Sequence, residues 1–211
     1  GARGLVGVPR PFDALGQLWA TTGGENLVLL DSVTGQILEQ FAGRATLGMA
    51  VDPIVPRLYL ATPRGVEIFD TITHRFTQFS ATRVDGLALG PDGKLYGALW
   101  PDGGQIVRFD PRGRAELFLE LSRPAEGLSF GQPGTELAGL LFVSHDEGGS
   151  LTLVDVASRQ SLELATGGTR GDFLHVSPDG RVFVTQTSQV DILQPITAPQ
   201  VVATTPVSGA G

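Results

Sequence analysis

Three carboxylates recur at one position of a repeated sequence pattern, each ahead of a short apolar run. Asp85 precedes Gly86-Leu-Ala-Leu89, Glu126 precedes Gly127-Leu-Ser-Phe130, and Asp172 precedes Phe173-Leu-His-Val176. Carboxylates gathered around a narrow opening either bind a hard cation such as Ca²⁺ through oxygen or raise one another's pKa by repulsion. Asp85, Glu126 and Asp172 are therefore the candidate metal ligands, and Ca²⁺ is the one cofactor they suggest. Arg83 and Arg170 each stand two residues upstream of an aspartate and could neutralise the group instead. In that case the three acids are turn residues at strand ends.

A second set of chemistry-bearing residues lies in two loops, Trp100-Pro-Asp102 and His145-Asp-Glu147. A tryptophan beside carboxylates can stack on a sugar or peptide while the acids accept hydrogen bonds. Trp100, Asp102, His145 and Asp146 are accordingly the candidate ligand-binding residues. Trp100 also follows an alternating apolar run and could pack between sheets, and adjacent residues such as His145 and Asp146 point apart on a strand, which argues against an acid–base pair. His175 sits in an apolar run expected to line a channel. No calcium-binding helical loop, phosphate-binding glycine loop, HExxH or serine-elbow motif is present, so the catalytic set is empty and a non-enzymatic role is expected.

The elements that must position these residues follow from an internal repeat. An alternating apolar run closed by aspartate ends at Asp31, Asp70, Asp110, Asp155 and, more loosely, Asp191, at intervals of 39, 40, 45 and 36 residues. Ahead of each lies a short strand, a turn and another strand. The clear copies are Gly86-Leu-Ala-Leu-Gly-Pro-Asp-Gly93-Lys-Leu-Tyr96 and Phe173-Leu-His-Val-Ser-Pro-Asp-Gly180-Arg-Val-Phe183. Proline sets φ, aspartate bonds the local backbone and glycine takes positive φ, so each Pro-Asp-Gly closes a hairpin. A turn and an outer strand follow the closing aspartate, making four antiparallel strands in a unit of about forty residues. Repetition marks those aspartates as structural.

A lone four-stranded sheet cannot bury both apolar faces, whereas radial packing covers each face with a neighbour. The expected fold is all-β, a five-bladed β-propeller occupying 1–197, with blades near 1–43, 44–81, 82–122, 123–166 and 167–197. A β-sandwich would not require the same turn and aspartate signals every forty residues. Residues 198–211 read either as the last outer strand or as the start of an immunoglobulin-like repeat. The residue just ahead of the first strand of each unit is Arg3, Leu47, Asp85, Glu126 and Asp172, so three successive blades bring acids toward one rim.

The blades resemble those of the propeller superfamily that contains gluconolactonases, regucalcin, streptogramin lyases and NHL-repeat proteins. The resemblance rests on Asp85-Gly-Leu-Ala-Leu-Gly-Pro-Asp-Gly-Lys-Leu-Tyr-Gly97 followed by Gly104-Gln-Ile-Val-Arg-Phe-Asp-Pro-Arg-Gly113. It implies the fold and leaves several functions open, because this repeat serves lactonases, lyases and binding scaffolds. Gluconolactonase-type enzymes hold a divalent cation with Glu, Asp and Asn side chains, and Ala125-Glu126-Gly127 resembles their Glu-Gly entry. The only asparagine here is Asn26, in a different place, five units are visible instead of six, and no lyase motif surrounds His74, His145 or His175. These departures favour a binding module over a divalent-metal-dependent lactonase or lyase.

With 41% hydrophobic and 18% charged residues the chain can pack a core. A net charge of −7 with only 15 Lys and Arg opposes nucleic-acid binding. The chain has no cysteine, which excludes disulfides, thiolate metal sites and a cysteine nucleophile. No apolar run is long enough for membrane insertion. The first residues, Gly1-Ala-Arg-Gly-Leu-Val6, lack signal-peptide character and a starting methionine, as expected of a processed protein or a piece of a longer one. Together these readings point to an adhesive or spacer module of a bacterial extracellular or cell-surface protein, with protein or carbohydrate ligands and neighbouring domains as partners.

Overall fold

The computed structural model describes residues 4–7, 17–21, 26–42, 45–99, 101 and 103–194. Nineteen strands and one short 3₁₀ turn are assigned among them, in five antiparallel sheets whose order follows the sequence. Blade 1 comprises β1 (Gly4–Gly7), β2 (Gln17–Thr21), β3 (Asn26–Asp31) and β4 (Ile37–Ala42). Blade 2 comprises β5 (Met49–Val51), β6 (Arg57–Thr62), β7 (Gly65–Asp70) and β8 (Arg75–Ser80). Blade 3 runs through β9 (Val84–Leu89), β10 (Leu95–Leu99), β11 (Gln105–Phe109) and β12 (Ala115–Glu120). Blade 4 runs through β13 (Ala125–Phe130), β14 (Leu140–His145), β15 (Leu151–Asp155) and β16 (Gln160–Ala165). Blade 5 has β17 (Leu174–Val176), β18 (Val182–Thr185) and β19 (Val190–Leu193) among the described residues. The arrangement is a five-bladed β-propeller, and residues 198–211 lie outside the described part.

The core lies between blades, because the second strands of blades 2, 3 and 4 each feed two apolar clusters. In β6, Leu58 and Leu60 point to a cluster with Trp19, Leu27 and Phe69 of blades 1 and 2, while Tyr59 and Ala61 point to one with Val84, Leu95 and Phe109. In β14, Leu141 and Val143 pack with Tyr96, Ile106 and Phe118, and Phe142 packs with Leu151, Val182 and Val184. Successive strand residues face opposite ways. A strand covered on both sides is therefore apolar throughout, and full burial of each such side chain contributes roughly 1.5–3 kcal/mol.

The periodic aspartates work inside the turns. Asp31 accepts from the Val33 and Thr34 amides, Asp70 from those of Ile72 and Thr73, Asp110 from those of Arg112 and Arg114, and Asp155 from those of Ala157 and Ser158. These bonds hold the four carboxyls below the usual carboxylate range. In the hairpin of blade 3, Asp92 accepts from the Lys94 amide and the Tyr96 hydroxyl. Asp191 differs, since its carboxylate accepts from the Gln189 side-chain amide.

Candidate functional site

Asp85 and Glu126 lie inside strands β9 and β13, not ahead of them as the sequence pattern suggested. The reason is a β-bulge in each. In blade 3 the pairing Gly97↔Leu87 gives way to Leu99↔Val84, so Asp85 and Gly86 together oppose Ala98. In blade 4 Leu128↔Val143 gives way to Ala125↔His145, so Glu126 and Gly127 together oppose Ser144. A bulge bends the strand and re-aims the extra side chain. Asp172 precedes β17 by two residues, as Leu47 precedes β5.

Gly48 and Gly86, each following the rim residue of its blade, let the innermost strands approach. A Cβ on Gly48 would overlap the Asp85 carbonyl oxygen, and one on Gly86 would overlap that of Glu126. The Gly48 amide donates to the Asp85 carbonyl across the blade boundary at 2.8 Å. The Ser144 hydroxyl accepts from the Gly127 amide at 3.1 Å and the Thr185 hydroxyl from the Phe173 amide at 2.9 Å, while the Thr21 hydroxyl donates to the Leu47 carbonyl at 2.9 Å. Sequence reasoning missed these hydroxyls. Their signal was present, since Thr21, Thr62, Ser144 and Thr185 stand last or next to last in the second strands of four units, with Ala98 at that place in the remaining one.

On this rim lies a cleft of about 340 Å³ lined by the acids Asp85, Glu126, Asp146 and Asp172, by Arg83 and Arg170, and by Leu47, Pro63 and Phe173 among other residues. Asp85 and Glu126 come from the bulged starts of β9 and β13, and the others named come from the connections between blades or the loops joining second and third strands. The three proposed metal ligands thus share one cleft, with Asp146 beside them. Arg170 bridges two of these acids: Nε pairs with Asp146 Oδ1 at 2.8 Å and also with Asp172 Oδ1. Among the described residues, no group of three His, Asp or Glu side chains is arranged to hold a metal ion. Burial first, then the charges of Asp85, Asp146 and Asp172, push the Glu126 carboxyl up to about 7, with Arg170 acting the other way. Near neutral pH Glu126 can therefore carry a proton and donate a hydrogen bond, while Arg170 offers its guanidinium.

The other candidate ligand residues divide. Asp146 lines the cleft, and Trp100 and Asp102 lie outside the described residues. His145, expected beside Asp146 on the contacting loop, is 1% exposed. Its Nδ1 lies 2.8 Å from the Pro124 carbonyl and its Nε2 2.8 Å from the Thr152 hydroxyl. A carbonyl can only accept, so Nδ1 carries the proton and the Thr152 hydroxyl donates to Nε2. As the last residue of β14, His145 turns its ring into blade 4, and Asp146, one step on, turns to the cleft. His175 stands exposed on β17 opposite Phe183 and is not part of the cleft lining. No family model matches the chain, and no curated protein matches it either.

Proposed function

We propose that this five-bladed propeller is a non-enzymatic binding and structural module whose cleft face contacts a protein or carbohydrate ligand. The observation that carries the reading is the position of Arg170, which places the chain's own guanidinium on two carboxylates, Asp146 and Asp172, that a metal-dependent hydrolase would turn toward its ion. A rim that mixes guanidinium, carboxylate, a protonatable carboxyl and the apolar Leu47, Pro63 and Phe173 suits hydroxyl, amide and charged groups of a ligand. The acidic surface and the absence of catalytic motifs support a module of a larger bacterial extracellular or cell-surface protein. The blade resemblance supports membership of the superfamily of gluconolactonase-type and NHL-like propellers.

Glycan and peptide arrays probed with the protein and with Arg170→Ala test this. The expected result is a retained ligand whose binding weakens about tenfold, or ~1.4 kcal/mol, in the variant, with an unchanged melting midpoint. Equal retention of both proteins would move the contact away from the cleft. Hydrolysis of a lactone that requires Ca²⁺ or Mg²⁺ and disappears in Glu126→Gln would replace the binding module with the metal-dependent lactonase.

A further inference from the structure

Arg170 is held from one side only. Its Nε pairs with Oδ1 of Asp146 and with Oδ1 of Asp172, and among the described residues neither of its Nη nitrogens takes part in an ion pair or hydrogen bond. The Oδ2 atoms of the two aspartates are likewise without a protein partner among those residues. The three side chains are 51%, 39% and 41% exposed in the order Arg170, Asp146, Asp172. The cleft thus presents N–H donors and carboxylate acceptors side by side, on side chains that already hold one another in place. Such pre-organisation lowers the cost of ordering them around a ligand.

Charge decides what fits there. A cationic group would compete with Arg170 for the same carboxylates, and an anionic group would approach Asp85, Asp146 and Asp172. An uncharged hydroxyl does neither, because it accepts from a guanidinium N–H and donates to a carboxylate oxygen at once. A sugar ring carries several hydroxyls within the span of one residue, whereas a peptide spaces its uncharged donors and acceptors along an extended backbone. Leu47, Pro63 and Phe173 add an apolar wall for the C–H face of such a ring, in a cleft of about 340 Å³. We propose that the cleft binds an uncharged sugar residue, whose hydroxyls bridge the Nη nitrogens of Arg170 and the Oδ2 atoms of Asp146 and Asp172. This rests on the cleft face being the one that contacts ligand, and it narrows that ligand from protein or carbohydrate to neutral carbohydrate. Half-buried Glu126 lines the same cleft and adds a donor while it is protonated. Asp85, Asp146 and Asp172 oppose its charge and Arg170 favours it, so that donor is lost as pH rises through about 7.

An array of neutral hexose and N-acetylhexosamine oligosaccharides, uronic-acid oligosaccharides, and lysine-rich and aspartate-rich peptides, probed with the full chain, tests the proposal. Retention confined to neutral oligosaccharides is expected. Their affinity, measured by calorimetry, should change less than about twofold between about 0.05 and 0.5 M NaCl, since no ligand charge is there to be screened. Arg170→Lys keeps the charge without the planar fork and should weaken binding at least about tenfold, with the melting midpoint of the parent. Glu126→Gln keeps an N–H donor at every pH, so the affinity of the parent should fall between about pH 6 and 8 and that of the variant should not. Preference for uronic-acid oligosaccharides or charged peptides, weakened by Arg170→Lys, would overturn the proposal and leave the cleft as the seat of a charged ligand. If no probe is retained in a way that responds to Arg170→Lys, both this proposal and the assignment of the cleft as the contact face are overturned.

Discussion

Gly86 and Glu126 belong to neighbouring blades, and a Cβ on Gly86 would overlap the backbone carbonyl of Glu126. The same bulge position that aims Glu126 into the cleft therefore brings its main chain against the next inner strand. Site geometry and blade spacing are set by one contact, and the side chain at residue 86 has no space.

Gly86→Ala should consequently lose about 1–3 kcal/mol through overpacking against backbone, which cannot rotate aside. Gly134→Ala is the comparison. Gly134 has φ +81° and no neighbour near its Cβ, so only the backbone penalty of about 1 kcal/mol applies there. Urea midpoints of the two variants check the order, and a Gly86→Ala protein as stable as the parent would contradict the close approach.

The Glu126 carboxyl is raised from an ordinary 4.5 to about 7 in the folded protein. The folded state then holds a proton that the unfolded chain has released between those values. This contribution to stability is complete below about pH 4.5 and is lost as pH rises through 7. Solvent at the cleft screens part of the effect, which leaves roughly 1–3 kcal/mol. Glu126→Gln should flatten the decline between pH 5 and 8, measured by denaturant midpoints across pH, and an unchanged slope would refute the shift.

His145 works in the opposite sense. Burial holds its pKa below the ordinary 6.5, so the neutral ring stabilises the fold above pH 6.5 and that contribution is lost as pH falls through the lower folded value. Thr152→Val removes the hydroxyl donor to Nε2 and should cost about 1–3 kcal/mol at pH 8 by leaving a buried nitrogen without a partner. A thermal melt of this variant within error of the parent would show that the ring is not held as described.

Arg170→Ala frees Asp146 and Asp172 in the cleft and removes a charge that counters the raised pKa of Glu126. The carboxyl ¹³C titration of Glu126 should move to higher pH. Stability should change by less than about 1 kcal/mol, because these pairs are solvent-accessible. A titration that stays in place would separate Arg170 from Glu126 electrostatically.

EDTA-treated protein and the same protein with millimolar Ca²⁺ or Mg²⁺ should melt at the same midpoint, because Arg170 already pairs with Asp146 and Asp172 and Glu126 holds a proton near neutral pH. A rise of the size mass action gives to a bound ion, and its loss in Glu126→Gln, would restore the metal centre.

The repeat by itself determined the blades. Turn chemistry at Asp70, Asp92, Asp110 and Asp155 is local, carried within four residues, and the unbroken apolar run in strands such as β6 records burial on both faces. The carboxylates on one rim were legible for the same reason, since equivalent positions in equivalent blades must come together. The tertiary structure alone decided what that rim is chemically. The bulges that draw Asp85 and Glu126 into strands depend on pairing with residues 99 and 145. The reach of Arg170 to Asp146 joins side chains 24 residues apart in sequence, and the ring of His145 turns inward because Pro124 and Thr152 meet it there. Those are relations between elements, and no spacing along one strand encodes the distance from a guanidinium to the carboxylates of two loops.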